Sequence, residues 1–229
     1  MKTSAVTIIS LGGSTIVPDV PSGEFVRSFT DLIKERVKSG RRFVIVCGGG
    51  KTSRNYHKAL KDSGNTDNDD ADWIGIYATH LNAELIRLAL GKLAHPNVVK
   101  DPTKKIPWKT TVLIAGGWKP GRSTDYDAVL LAKMFGAKNL VNVSNIDYVY
   151  TADPKKNPSA RPIPKMTWSE LIAMLPDSWS PNLSSPFDPI AARLASKLKL
   201  SVSIVNGALQ DDVAHAIDEL PFRGTIITT

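Results

Sequence analysis

Three consecutive glycines followed by two cations form the stretch of this sequence best suited to chemistry on a phosphate. Gly48, Gly49 and Gly50 follow a short apolar run, and Lys51 and Arg54 come next. Glycines let the backbone turn sharply and approach a ligand, because no Cβ is in the way. A helix that begins there presents free N–H groups and the positive end of its dipole to an anion. The stretch therefore predicts a phosphate site, with a plain glycine turn between a strand and a helix as the alternative.

Four other apolar, β-prone runs also end in glycines or small polar residues, at 12–14, 116–117, 144–145 and 206–207. Segments between them, such as 25–37, have the hydrophobic period of helices, so the pattern predicts a parallel sheet covered by helices. Ligands of such sheets bind outside the carboxyl ends of the strands. Five loops on one edge therefore predict a long cleft for two phosphorylated ligands, unless the glycines simply end strands.

The remaining segments carry weaker patterns. The polar stretch 65–70 predicts a surface loop, and the long apolar segment 72–93 predicts a helix that is deeply buried or part of an oligomer contact. A helix is expected over 166–175 and an irregular polar loop over 179–186. Asp188 followed by Pro189 predicts the cap and first position of another helix.

Length and composition indicate a soluble globular protein. The chain has 229 residues, of which 42% are hydrophobic and 22% are charged. No signal peptide or run long enough to span a bilayer is predicted, so we expect a cytoplasmic protein without a membrane partner. Cys47 is the only cysteine, which excludes an internal disulfide, and we expect it to be a buried, inert thiol.

The net charge of +7 allows nucleic acid, a membrane surface or small anions as partners. The basic residues form no long run, and several lie near glycines, as Lys51, Lys119 and Arg122 do. This distribution favours small phosphorylated ligands over nucleic acid. The four histidines are scattered without the spacing of metal ligands, and we expect no catalytic histidine.

Taken in order, the motifs of the chain resemble those of the amino acid kinase family, and within it the archaeal branch that phosphorylates UMP. They are Gly12-Gly13-Ser14, Gly48-Gly49-Gly50-Lys51 with Arg54, residues 72–76, residues 81–83, Gly116-Gly117 with Pro120-Gly121 and Ser123-Thr124-Asp125, residues 145–156, and residues 188–192. The resemblance covers nearly the whole chain.

The resemblance implies an αβα sandwich around a mainly parallel sheet, with residues 1–229 as a single domain. The acceptor site is expected in about residues 1–125 and the ATP site in about residues 126–229. Mg²⁺-ATP and UMP would meet phosphate to phosphate, and transfer of the γ-phosphoryl group would give UDP and ADP. A homohexamer built as a trimer of dimers is also implied, with the helix that follows Asp72 near subunit contacts.

The same resemblance assigns residues to each ligand. Those expected at the ATP phosphates are Gly13, Ser14, Gly50 and Arg54, and those at the adenosine are Ser144, Asn145, Tyr150 and Asp153. Those expected at UMP are Gly49, Asp72 through the ribose hydroxyls, and the closing loop of Lys119, Pro120, Gly121, Arg122, Ser123, Thr124 and Asp125. The protein ligands of the metal are not assigned.

Transfer to UMP needs no general base, because the second pKa of the acceptor phosphate is about 6 and the phosphate is largely a dianion at neutral pH. The reaction needs in-line alignment and relief of repulsion between two polyanions. Arg54 and Lys51 are the expected catalytic cations. Asp125, the third residue assigned to catalysis, would orient loops, bind hydroxyls or hold metal-bound water, with turn or helix capping as the structural alternative.

Three features depart from the family pattern. Ser144 replaces a frequent threonine, a mild change that keeps the hydroxyl. Tyr148 stands where the family usually has a glycine, and a tyrosine adopts the positive φ of a glycine poorly. The local loop or the adenine pocket is therefore expected to differ. The first glycine loop also lacks the lysine seen in many amino acid kinases.

Three other functions compete with UMP phosphorylation. The nearest is a kinase of the same fold that acts on carbamate, an acylamino acid or an isoprenoid phosphate. A non-catalytic oxoanion-binding or storage protein on the same scaffold is the second, although the chain retains both donor and acceptor motifs. A nucleic-acid-binding protein is the third and depends only on the net charge.

Overall fold

The structure is a computed structural model, which describes residues 6–176 and 185–229. Its strands are β1 (Val6–Leu11), β2 (Arg42–Cys47), β3 (Val112–Ala115), β4 (Asn139–Ser144), β5 (Val149–Tyr150), β6 (Pro162–Ile163), β7 (Lys165–Thr167), β8 (Ser201–Asn206) and β9 (Gly224–Thr228). Its helices are α1 (Gly13–Ile16), α2 (Gly23–Lys38), α3 (Gly50–Asp62), α4 (Asn68–Leu90), α5 (Thr124–Phe135), α6 (Trp168–Met174), α7 (Pro189–Lys197) and α8 (Gln210–Ile217), with a 3₁₀ turn at Gly91–Leu93. Within these two ranges, no helix has the length and apolar character needed to cross a membrane.

The central sheet has seven strands in the order β3-β2-β1-β4-β8-β9-β7. Neighbouring strands are parallel except for β8 and β9, which are antiparallel. Ile9 of β1 lies opposite Ile45 of β2 on one side and Val141 of β4 on the other. All three side chains are buried, as expected for β-branched residues in a parallel sheet that is covered on both faces.

Helices cover both faces of the sheet. Successive strand residues point to opposite faces, so Ile9 and Ile45 pack with Phe29 of α2 and with residues of α4 and α8. Ile8 and Val44 pack on the other face with residues of α5, α6 and α7. The αβα sandwich with a mainly parallel sheet is therefore confirmed.

The chain order places a topological switch point at the centre of the sheet. It runs outward from β1 to β2 and β3, then returns to place β4 on the other side of β1. Because these strands are parallel, the loops at 12–14, 48–50, 116–117, 144–145 and 206–207 all leave the same edge, as predicted. Ligands of open α/β sheets bind at such a point.

The structure corrects two helix boundaries. Asn68 to Asp70 belong to α4, which is capped by the Asp67 side chain accepting from the Asp70 N–H at 3.0 Å, so only the start of the predicted loop 65–70 is a loop. Met166 lies on β7, and α6 begins after Thr167, which forms a capping box with Glu170.

Other predictions at the C-terminal end have different outcomes. Asp188 caps α7 by accepting from the Ala191 N–H, and Pro189 is the first residue of that helix, as predicted. Most of the loop predicted for 179–186 lies outside the described residues.

Cys47 ends β2 and is completely buried in the core, as predicted. Burial raises the pKa of its thiol far above the ordinary value. Because thiolate rather than thiol is the reactive form, this cysteine is a packing residue.

Candidate active site

The loops after β1 and β2 pack directly against each other at the switch point. The Gly48 N–H donates to the Leu11 carbonyl at 2.9 Å, and the Lys51 N–H donates to the Val17 carbonyl at 3.0 Å. A Cβ on Gly13 would lie 2.0 Å from the Gly50 nitrogen. The absence of side chains at this contact is therefore a steric requirement of the two backbones.

The second loop has the backbone conformation of an anion-binding nest. Gly49 is right-handed, with φ −82° and ψ −28°, and Gly50 has a φ of +63°. This succession turns neighbouring N–H groups toward one side, and α3 starts at the same point. Asn82 of α4 fixes the loop by donating to the carbonyls of Gly48 and Gly49 at 2.8 and 3.1 Å.

Arg54 links the two glycine loops from one turn inside α3. Its Nη1 donates to the Ser14 Oγ at 3.2 Å, and the side chain remains exposed. Gly13, Ser14, Gly50 and Arg54, which were assigned to the ATP phosphates, all line one cavity of about 300 Å³.

The same cavity extends between α3, α4 and the segment that follows β3. Its lining also includes Gly49, Asp72, Arg122, Ser123 and Thr124, all of which were assigned to UMP. The structure therefore brings both sets of predicted phosphate-side residues into one space.

Side chains of α4 hold the segment between β3 and α5, residues 116–123, which we call the β3–α5 loop. The Thr79 Oγ1 accepts from the Gly117 N–H at 2.7 Å, and the His80 Nε2 donates to the Gly117 carbonyl at 2.8 Å. Burial lowers the pKa of His80, which favours the neutral imidazole. The Asp72 Oδ2 accepts from the Gly121 N–H at 2.7 Å.

Asp72 therefore lies between the loop and the cavity. Burial raises the pKa of its carboxyl, while the bond from Gly121 and the nearby His57 act in the opposite direction. Its Oδ2 is bonded to the loop, and the residue also lines the cavity.

Asp125 is placed away from the cavity lining. Its Oδ1 accepts from the Ser10 Oγ and from the Asn142 Nδ2, both at 2.8 Å, which ties the first turn of α5 to β1 and β4. Burial raises the pKa of its carboxyl to about 6. The cap of α5 is instead Ser123, whose Oγ accepts from the Tyr126 N–H at 3.2 Å.

Four other assigned residues also lie outside the cavity lining: Lys51, Lys119, Pro120 and Gly121. The Lys51 side chain belongs to the first turn of α3. The Lys119 ammonium lies 4.1 Å above the Trp118 ring, and Gly121 has a φ of +74° at the turn of the loop.

A second cavity, of about 510 Å³, lies farther along the same edge. Ser14 belongs to both cavities, and Asn145 is the one member of the predicted adenosine set that lines the second. The loop after β8 contributes Asn206 and Gly207, and α2 contributes Phe25.

The other three residues of the adenosine set lie outside that lining: Ser144 ends β4, Tyr150 ends β5 and Asp153 lies in the loop after β5. The Ser144 Oγ accepts from the Ile146 N–H at 3.2 Å, and the Asp153 Oδ1 accepts from the Lys155 N–H at 3.0 Å. The Tyr150 ring meets the Tyr148 ring edge-on, with centroids 6.2 Å apart. Tyr148 does not have a positive φ, so this backbone accommodates a tyrosine without strain.

Sequence reasoning missed several residues that line the first cavity: Ser53, His57, Ile76 and Thr79. Ser53 and His57 are four residues apart on α3, with Oγ and Nε2 3.4 Å apart. Ile76 and Thr79 follow Asp72 at helical spacing on α4. Ser53 and His57 lie on the same helix face as Gly50, and Ile76 and Thr79 lie on the same face as Asp72. This helical spacing was the sequence signal that could have identified them.

Within residues 6–176 and 185–229, no group of three or more histidine, cysteine, aspartate or glutamate side chains is arranged to hold a metal ion. Mg²⁺ usually keeps several waters and binds through substrate phosphates. The glycine nest and Arg54 can bind phosphate oxygens, and neither is a ligand for the ion itself.

A mainly parallel αβα sandwich, with two glycine loops in contact at its switch point and one cavity shared by two sets of residues that were predicted to bind phosphates, is the architecture expected of a kinase that acts on small molecules. The chain belongs to the amino acid kinase family, whose sequence pattern matches residues 5–206.

Members of the family are similar to the chain over nearly its whole length. The chain is 36% identical to a uridylate kinase of Thermococcus kodakarensis, covering 96% of this chain and 98% of that protein. It is 33% identical to a uridylate kinase of Hyperthermus butylicus, with coverage of 96% and 97%. The crystal structure of uridylate kinase from Archaeoglobus fulgidus superimposes with a TM-score of 0.80 at 30% identity, covering 97% of this chain and 99% of that one.

Proposed function

We propose that this chain is a UMP kinase, which transfers the γ-phosphoryl group of ATP to UMP and gives UDP and ADP. The observation that carries the proposal is the single cavity shared by the glycine loops with Arg54 and by Asp72 with Arg122. Full-length relatives that are named uridylate kinases support the choice of acceptor. The proposal includes a cytoplasmic location.

The acceptor binds mainly against residues 1–125. One oxygen of Asp72 receives the ribose hydroxyls while the other keeps its bond to Gly121. Gly49 and Arg122 bind the acceptor phosphate side, and the segment from Lys119 to Asp125 closes over the uridylate. This arrangement couples ribose recognition to the position of the loop.

ATP binds across the two halves of the single domain. Gly13, Ser14, Gly50 and Arg54 hold its phosphates, and residues 126–229 bind its nucleoside through Ser144, Asn145, Tyr150 and Asp153. When bound with ATP, Mg²⁺ neutralises phosphate charge, and ATP supplies the group that is transferred.

The protein contributes alignment and charge rather than a general base. The nest at Gly49 and Gly50 orients phosphate oxygens, and Arg54 offsets the charge that develops on the transferred group. Lys51 adds positive potential at the start of α3. Asp125 holds the first turn of α5 against β1 and β4, so that Ser123 and Thr124 stay at the cavity.

A panel of acceptors with Mg²⁺-ATP tests this proposal through ADP release. We expect UMP to be turned over far faster than CMP, AMP or GMP, because Asp72 and the segment from Lys119 to Asp125 match the positions of uridylate contacts in the family. Equal rates for all four nucleotides would contradict the proposal. Faster turnover of carbamate, an acylamino acid or an isoprenoid phosphate would assign the chain to another reaction of the family.

We also propose that α4 forms a contact between copies of this chain. Apolar side chains face outward along the helix at Trp73, Tyr77, Leu81, Leu85 and Leu88, and they are between 37% and 65% exposed. Their spacing forms one stripe on a helix whose opposite face packs on the sheet. A second copy that presents the same stripe would cover it in a two-fold contact, and three such dimers would form the homohexamer.

Leu81→Glu is expected to weaken this contact, because it places a charge where an apolar side chain would be buried in each copy. The molar mass measured by light scattering after size exclusion should fall from the hexamer toward smaller species. Val20→Glu is the matched control, because Val20 is also apolar and 67% exposed but belongs to the segment between α1 and α2. A monomeric wild-type chain, or an unchanged mass for Leu81→Glu, would contradict the proposed contact.

A further inference from the structure

Asp127 is a buried carboxyl on α5 that the proposed reaction does not use. Its side chain is 0% exposed. The Oδ2 atom accepts from the Trp118 N–H at 3.0 Å, while Oδ1 has no hydrogen-bond partner. A buried polar atom without a partner costs stability, so an apolar residue would be the better choice here if packing were the only requirement.

A neighbouring arginine and a neighbouring aspartate also have buried polar atoms without a hydrogen-bond partner. These are the Nε of Arg122 and the Oδ2 of Asp188. The charge of Arg122 lowers the pKa of both Asp127 and Asp188, and the charge of Asp188 raises the pKa of Asp127. The β3–α5 loop, α5 and the start of α7 therefore meet at one cluster.

Arg122 is the member of this cluster that reaches the first cavity. Its Nη1 donates to the Gly121 carbonyl at 2.8 Å, and its guanidinium lies 4.9 Å above the Tyr126 ring. Its position consequently depends on the course of the loop backbone between Trp118 and Ser123.

We propose that Asp127 is a positioning residue for the acceptor, which holds the Trp118 amide and thereby places Arg122 at the cavity. The inference rests on the proposed function, because it takes UMP as the acceptor. On α4, Thr79 and Asp72 fix the loop at Gly117 and Gly121. Asp127 fixes it from α5, so the loop is held from both sides.

The protonation state of Asp127 makes this inference testable by pH. Burial raises the pKa of its carboxyl to about 8, and the charges of Asp188 and Asp101 act in the same direction, against the Trp118 amide and Arg122. At pH 7 the group is mainly a neutral acid that accepts from Trp118. Above pH 8 it becomes an anion, which attracts Arg122 away from the acceptor phosphate.

The raised pKa of Asp127 also makes the stability of the fold depend on pH. The folded pKa lies above the ordinary carboxyl value of about 3.9, so ionisation favours the unfolded chain. The resulting loss of folding stability grows between about pH 3.9 and about pH 8 and is constant above pH 8. An asparagine side chain at this position does not ionise and carries no such cost, so Asp127→Asn should melt at a higher temperature than wild type at pH 8.

The experiment compares Asp127→Val, Asp127→Asn and Val129→Ala by steady-state kinetics with UMP and Mg²⁺-ATP between pH 7 and 9. Val129 is fully buried on the same helix, and its truncation controls for a loss of stability alone. UMP is a dianion across this range, because the second pKa of its phosphate is about 6.

We expect Asp127→Val to raise KM for UMP by about tenfold, since the buried Trp118 N–H loses its acceptor. KM for ATP and kcat should change by less than about threefold, as an interaction with the acceptor alone requires. Asp127→Asn should keep the wild-type KM at pH 7. It should also lack the rise in KM for UMP that wild type shows above pH 8, and Val129→Ala should keep all three constants.

Three results would overturn the inference alone: an unchanged KM for UMP in Asp127→Val, an equal rise in both KM values, or an Asp127→Asn enzyme as impaired as Asp127→Val. If Asp127→Val fails to fold, Asp127→Ala takes its place in the same comparison, because it also removes the acceptor of the Trp118 N–H. A wild-type enzyme that does not turn over UMP would overturn the proposed function, and this inference with it.

Discussion

Replacing Gly13 by alanine is expected to reduce phosphoryl transfer by more than about 100-fold, a loss that a misplacement of roughly 1 Å can cause. The new Cβ would lie 2.0 Å from the Gly50 nitrogen and 2.5 Å from the Gly48 carbonyl carbon. Both are backbone atoms, so no side-chain rotation can relieve the clash. The two loops would have to separate, which would displace the nest and widen the space for the phosphates.

Gly23→Ala is the matched control for this variant. Gly23 is also the first residue of a helix, and a Cβ there would meet nothing within 4 Å. Alanine should leave the rate unchanged and stabilise the fold by up to about 1 kcal/mol, because it restricts the unfolded chain. Steady-state rates and melting curves of both variants make the comparison. A Gly13→Ala enzyme with near wild-type activity would show that the loops need no such contact.

Arg54→Ala is expected to lower kcat by about 10² to 10³ as well as weaken ATP binding, the usual effect of removing one electrostatic contact to the transition state. The guanidinium is fixed by its bond to the Ser14 Oγ at 3.2 Å, where the two glycine loops meet. Its planar fork can hold two phosphate oxygens at once, which a lysine ammonium cannot do. Arg54→Lys should therefore recover only part of the lost rate.

Lys58→Ala provides the control for Arg54. Lys58 is an exposed cation one turn farther along α3 and pairs with Asp62, so its removal changes the net charge equally without reaching the cavity. Rates at saturating Mg²⁺-ATP and UMP should stay at the wild-type value. If Arg54→Ala also kept the wild-type kcat, Arg54 would be a solvated helix residue.

The sheet was the part of the fold that the sequence predicted best. The short β-branched runs lie on parallel strands, because a parallel strand that is covered on both faces is apolar along most of its length. The helix starts were predicted less accurately. The polar stretch at Asn68 to Asp70 looks like a loop, yet acidic residues also favour the first turn of a helix. Met166 fits a helical period, but pairing with β9 places it on a strand.

The candidate site was predicted where backbone geometry dictates residue type. Gly13 and Gly50 are required by a close approach of two chains, and such glycines stand out in a sequence. Thr79 acts through a hydrogen bond to a loop that is distant in sequence, and Asp127 acts through one to an amide nine residues before it. No local pattern identifies such contacts, since any helix can carry a threonine or an aspartate.

Cys47 gives the protein a practical property. Because the single thiol is sealed in the core and disfavoured as a thiolate, alkylating dyes should leave the native chain almost unlabelled. One cysteine introduced at an exposed position would then be a unique attachment point. A fluorophore placed at Lys119 would report movement of the β3–α5 loop in real time, without first removing a native cysteine.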